Sequence, residues 1–87
     1  MSDTRLKTIC KAMGNAERVQ LVRCLAQEVS VNGLLQKCDL SQSALSQHLA
    51  VLRAAGIIRS RREGRKIYYS TSSEWVKLAG LIITLTE

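Results

Sequence analysis

The 87-residue sequence predicts a mainly α-helical fold carrying one small β-hairpin. Three observations predict it. Apolar residues recur at helical spacing in successive segments from Thr4 to Ala55, the period then shortens from about 3.6 to about 2, and a Glu63-Gly64 turn separates two β-favouring stretches. The chain has the length of one domain, 1–87, with room for a small core but not for a core plus a deep enzyme cleft. Hydrophobic residues make up 46% of it, yet only Trp75, Tyr68 and Tyr69 are aromatic, so the core is expected to be aliphatic.

Each element has its own signal. Leu6, Ile9, Cys10 and Met13 fall at i, i+3, i+4 and i+7, one stripe of a first helix from Thr4 to Met13. Gly14 and Asn15 end it, and Asn15 is a good N-cap for a second helix running to about Glu28 with Val19, Val22, Leu25 and Ala26 on its buried side. A short third helix carries Val31, Leu34, Leu35 and Cys38. Ser41 can cap a fourth, which stops at Gly56. The stretch IIRSRREGRKIYYST then reads as a hairpin over about 57–70, with Ile57-Ile58 and Ile67-Tyr68-Tyr69 as its β-favouring ends. Thr71-Ser72-Ser73-Glu74 has capping-box spacing and introduces a last helix that is nearly all apolar from Trp75 to Leu85. A domain this small cannot cover such a helix on every side, so part of it is expected to meet a partner chain.

The fourth helix carries the main functional signal. On a helical wheel Ala44, Leu45, Leu49, Leu52 and Ala55 gather on one side. Gln42, Ser43, Ser46, Ala50 and Arg53 gather on the other, with Gln47 at its edge. A solvated face usually carries Glu and Lys; this one is short, nearly uncharged and rich in paired donors and acceptors. Such a face lies close to a surface, and Gln and Ser can read base edges in a major groove about 12 Å wide. Two short helices joined by a tight turn, Val31 to Cys38 and Ser41 to Ala55, suit a helix-turn-helix whose second member is the recognition helix. A net charge of +6 favours a polyanionic partner, and six of the 13 Lys and Arg lie between positions 53 and 66. Phosphate contacts from the RREGRK tip would supply affinity without sequence information. The expected DNA-contacting residues are therefore Ser41, Gln42, Ser43, Ser46, Gln47 and Arg53 on the helix, and Arg62, Arg65 and Lys66 on the hairpin.

These residues resemble a family. Asn15-x-x-Arg18, then LSQSALSQHLAVLRAAGII, then RREGRKIYYS, are similar to the ArsR/SmtB family of winged helix-turn-helix transcriptional regulators, over about Ile9 to Leu85. The resemblance implies a homodimer built on the first and last helices and bound to an imperfectly palindromic double-stranded DNA operator. The interface residues would be Leu6, Ile9, Met13, Trp75, Leu78, Leu81, Ile82 and Leu85. Metal-sensing members carry C-x-C on the third helix, where this chain has Ser30-Val31-Asn32; others place His and acidic ligands on the last helix, where EWVKLAGLIITLTE has no His. The chain is thus most similar to metal-independent members, and no metal or cofactor is expected.

Cys10, Cys24 and Cys38 show neither C-x-x-C nor a nearby His pair, so reduced thiols are expected rather than a zinc or disulfide framework. Cys10 and Cys38 sit on apolar stripes and read as small core residues. Cys24 lies opposite Val22 and Leu25, beside Arg23, and is the candidate redox residue, although no resolving cysteine is identifiable and packing beneath the last helix is the plainer expectation. His48, the sole histidine, reads as packing or hydrogen bonding at the edge of its helix. No paired carboxylates, nucleophile-base pair or Gly-rich phosphate loop supports an enzyme.

No apolar run approaches the roughly 18 residues of a membrane span, and the MSDTRLK start lacks a signal-peptide apolar region, so a cytoplasmic location is expected. Three alternatives share these features: a winged-helix protein-interaction module that reads no DNA, a membrane-surface protein using its basic hairpin and last helix, and a thiol-based redox-responsive regulator.

Overall fold

The computed structural model describes residues 3–73 and residue 75. In chain order the elements are α1 (Asp3–Met13), α2 (Ala16–Cys24), β1 (Val29–Ser30), α3 (Val31–Lys37), α4 (Gln42–Ala54), β2 (Ile58–Glu63) and β3 (Lys66–Thr71). The three strands form one antiparallel sheet in the order β1-β3-β2.

The helix starts follow the capping signals. The Asn15 side chain accepts from the Arg18 amide at 3.1 Å, Ser30 Oγ from the Gly33 amide at 3.1 Å, and Ser41 Oγ from the Ala44 amide at 3.1 Å. The end of α4 is a Schellman turn: the Gly56 amide donates to the Arg53 carbonyl and the Ile57 amide to the Leu52 carbonyl, with Gly56 at φ 75°. Leu52 and Ile57, brought together by that turn, are both buried. At the hairpin tip Glu63 pairs with Lys66, and Gly64 at φ 63° takes the first turn position.

Three expectations are corrected here. The second helix ends at Cys24, not near Glu28, because the chain turns at Leu25 to reach the sheet. The Leu25 carbonyl accepts from the Thr71 amide at 3.0 Å, and Val29–Ser30 pairs with Tyr69–Tyr68 as a short strand that helical periodicity hides. The buried side of α2 shifts with it: Leu21 and Leu25 are fully buried and Ala26 is exposed. Finally, the cap before the last segment is Ser72, since Thr71 is held in β3. Ser72 Oγ accepts from the Trp75 amide at 3.1 Å and donates to the Gly56 carbonyl at 2.8 Å. The rest of the predicted last helix lies outside the described residues.

The core is aliphatic as expected. Ile9, Ala12, Leu21, Val22, Leu25, Leu34, Leu45, Leu49, Leu52, Ala55, Ile57 and Ile58 form one cluster that joins all four helices to the start of β2. Arg18 ties three of those helices together. Its Nε donates to the Ala12 carbonyl at 2.6 Å, Nη2 to the Lys11 carbonyl at 3.4 Å, and Nη1 stands 3.4 Å from His48 Nδ1 on α4. The same guanidinium thus satisfies the Ala12 carbonyl, adds a second donor to the Lys11 carbonyl that also accepts from the Gly14 amide, and links α4 to α2.

Candidate nucleic-acid interface

The core contacts decide which way α4 faces. Leu45, Leu49 and Leu52 point inward, so Gln42, Ser43, Ser46, Gln47 and Arg53 are all exposed. Ser41 is exposed as well, with its hydroxyl occupied in capping the helix. Ala50, Val51 and Ala54 are also exposed, and Val51, 41% exposed, is one of the two large hydrophobic residues left exposed among the described residues. The helical wheel places Ala50 on this side but misses Val51 and Ala54, because a helix apolar on nearly two sides hides which apolar residues face out.

His48 forms the flank toward α2. Its side chain is 14% exposed, with Nε2 3.8 Å from Glu17 Oε2. Arg18 donates to Nδ1, so Nε2 carries the hydrogen that faces the carboxylate. The expected packing role at the helix edge is what the geometry gives.

Between the other flank of α4 and the hairpin runs an open cleft of about 680 Å³, whose walls include Ser46, Arg53, Ile67 and Tyr69. It joins the helix face to the wing in one continuous concave surface.

The wing cations divide into two groups. Arg61 forks onto Glu28, Nε to Oε2 at 3.1 Å and Nη2 to Oε1 at 2.7 Å, donates from Nη1 to Glu63 Oε2 at 2.8 Å, and lies 4.8 Å over the Tyr68 ring. Arg59 Nε donates to Ser70 Oγ at 3.3 Å. Arg62, Arg65 and Lys66 are exposed and form no side-chain hydrogen bond or ion pair with another described residue. The basic run therefore contains arginines that hold the hairpin in place and cations turned outward at its tip.

The candidate dimer residues also divide. Leu6 is 46% exposed on α1, whereas Ile9 is buried in the chain's own core. Met13 and Trp75 pack partly against that core, and Leu78, Leu81, Ile82 and Leu85 lie outside the described residues. Cys10, expected as a small core residue, is exposed, because the α1 stripe is wider than the part of it that the core covers. Cys24 and Cys38 are half-buried and line the same cleft, which puts a second cysteine beside Cys24 where the sequence identifies no resolving one.

Among the described residues no group of three or more His, Cys, Asp or Glu could hold a metal ion, and no helix is long and apolar enough to cross a membrane.

Two short helices around a tight turn, an exposed polar face on the second, and a basic antiparallel hairpin beside it define a winged helix-turn-helix protein. A helix-turn-helix domain model matches residues 13–61. The transcriptional activator HlyU of Vibrio cholerae is 46% identical over 70 residues, covering 79% of this chain and 65% of that protein. A biofilm growth-associated repressor of Agrobacterium fabrum is 41% identical over 83 residues, covering 94% of this chain and 69% of that protein. The solved structure of HlyU from Vibrio cholerae superposes with a TM-score of 0.81 at 37% identity, covering 98% of this chain and 97% of that one. The chain belongs to the ArsR/SmtB family of winged helix-turn-helix regulators. It spans between half and about 69% of the length of the curated relatives it matches, 65% in the case of HlyU.

Proposed function

We propose that this protein is a sequence-specific DNA-binding transcriptional regulator, a cytoplasmic repressor that binds an imperfect palindrome as a homodimer. The recognition helix, about 41–55, enters the major groove, and the wing, about 57–70, lies on the backbone or in the minor groove. Gln42, Ser43, Ser46 and Gln47 read bases; Ser41 sets the helix start at the groove; Arg53, Arg62, Arg65 and Lys66 hold phosphates.

The observation that carries this reading is the pairing of an exposed, uncharged polar face on α4 with outward cations at the wing tip. A long basic face would bind any polyanion, and a polar face alone would bind weakly; together they supply specificity and affinity from separate groups. Dimerisation is supported by Leu6, left exposed on α1, and by the apolar sequence from Trp75 to Leu85. Repression would follow where the operator overlaps the promoter, since a dimer seated there blocks that DNA. No catalytic group, metal or cofactor takes part.

Selection from a random double-stranded DNA pool with the purified protein tests the reading. Enrichment of an inverted repeat with two like half-sites is the expected result. A pool that stays unenriched while the protein binds all DNA alike would refute it.

A further inference from the structure

We infer that Cys24 and Cys38 form an intrachain thiol pair that closes to a disulfide under a two-electron oxidant of the hydroperoxide class. Cys24 is the last residue of α2, and Cys38 caps the end of α3, its amide donating to the Leu34 carbonyl at 2.8 Å. Packing of the two helices on the shared core places both side chains in the wall of one open cleft of about 290 Å³, beside Glu17, Gln20, Lys37 and Asp39. Both are half-buried and pack against the core cluster, which holds them side by side in the cleft. Burial pushes the Cys38 thiol up from its ordinary value, and the neighbouring Cys24 thiol pushes it further the same way. Cys10 is exposed on α1 and does not line this cleft.

The chemistry balances with the peroxide as its only co-reactant. Burial disfavours the thiolate of Cys38, so the first step is assigned to the sulfur of Cys24. Its Sγ attacks one peroxide oxygen, the O–O bond breaks, and the departing hydroxide takes up a proton to become water. Cys24 is left as a sulfenic acid. The Cys38 sulfur then attacks the Cys24 sulfur and gives up its proton; the sulfenic hydroxyl leaves as water and the S–S bond forms. Two thiols have lost two electrons and two protons, and hydrogen peroxide has become two molecules of water.

The position of the bond gives it a consequence. Cys38 precedes Ser41, the cap of the recognition helix, with only Asp39 and Leu40 between them. A disulfide holds its two Cα atoms within about 7 Å and fixes the torsion between them. Closing it ties the α3–α4 turn to the end of α2 and shifts the helix start that Ser41 sets. Release from DNA under oxidation rests on the function proposed above, whereas formation of the bond does not.

The test is peroxide treatment of the reduced full-length protein, alkylation of the remaining thiols, and peptide mass analysis beside an operator-binding titration. The expected product is a Cys24–Cys38 link within one chain, reversed by dithiothreitol, with operator affinity lowered about tenfold, the order of coupling usual between linked sites. Cys24→Ser and Cys38→Ser should each keep their affinity after peroxide, and Cys10→Ser should respond as the unaltered protein does. Alkylation of both Cys24 and Cys38 after peroxide, a link through Cys10, or equal loss of affinity in Cys38→Ser would overturn the inference. If the reduced protein binds no operator at all, the DNA reading fails while the mass analysis still decides the bond.

Discussion

Arg61 on β2 and Glu28 in the loop after α2 face each other through two hydrogen bonds, of 2.7 and 3.1 Å, and that fork joins the wing to the helical body. The Arg61 guanidinium holds the Glu28 carboxyl below the usual carboxylate range. Both side chains are well exposed, 50% and 39%, so the pair does little for global stability and acts on where the wing lies. Replacing Glu28 by Gln should leave the unfolding midpoint nearly unchanged while speeding amide exchange in β2 and β3. Because the carboxyl's folded value is lowered, its contribution is full above the ordinary carboxylate range and is lost as pH falls through the folded value. The exchange difference between the parent and Glu28→Gln should therefore vanish in acid, and a difference that grew on acidification would contradict the fork's role.

Base reading and backbone anchoring should separate by mutation. Gln47→Ala is expected to cost about 1–3 kcal/mol on the operator and little on scrambled DNA. Arg65→Ala should weaken both alike and lower the salt slope by about 0.9 for each phosphate that a DNA-bound chain no longer neutralises. Affinity against salt concentration on the two DNAs checks this. Base preference that moved with Arg65 instead would make the wing the reader.

The two apolar residues on α1 should behave differently despite sharing a stripe. Leu6 is exposed, so Leu6→Glu should weaken the proposed dimer and leave the fold intact. Ile9 is buried in the core, so Ile9→Asp should cost about 3 kcal/mol or more and unfold the chain. Sedimentation with circular dichroism distinguishes them. A folded Leu6→Glu protein that sediments as the unaltered protein does would remove α1 from the proposed interface.

Arg18 satisfies the Ala12 carbonyl, and adds a second donor to the Lys11 carbonyl that the Gly14 amide already reaches, in the last turn of α1. Arg18→Ala should lower stability by about 1–3 kcal/mol in denaturant unfolding, since the part-buried Ala12 acceptor is left open. Arg18→Lys should recover less than half of the loss, because one ammonium cannot serve two carbonyls and His48 with the reach of a planar guanidinium. Full recovery with Lys would mean that charge alone matters there.

By itself the sequence determined the elements with local causes. Asn15 and Ser41 start their helices because a side-chain oxygen meets an amide three residues on, Gly56 stops α4 because glycine takes positive φ there without strain, and period-2 patterning around Gly64 makes the hairpin. The polar face of α4 was legible for the same reason, since its Gln and Ser lie within one helix whose wheel needs no partner. Tertiary structure decided what depends on residues far apart in the chain. Val29 and Ser30 became a strand only because Tyr68 and Tyr69 offered an edge, and that pairing ended α2 at Cys24. Arg61 belongs to the basic run by composition, yet Glu28, distant in sequence, turned it into a clamp rather than an outward cation. Cys24 and Cys38 read as unrelated until α2 and the end of α3 packed on one core and put both thiols into one cleft. Local hydrogen bonds are written in spacing; contacts between elements depend on how the buried faces meet, which no single segment encodes.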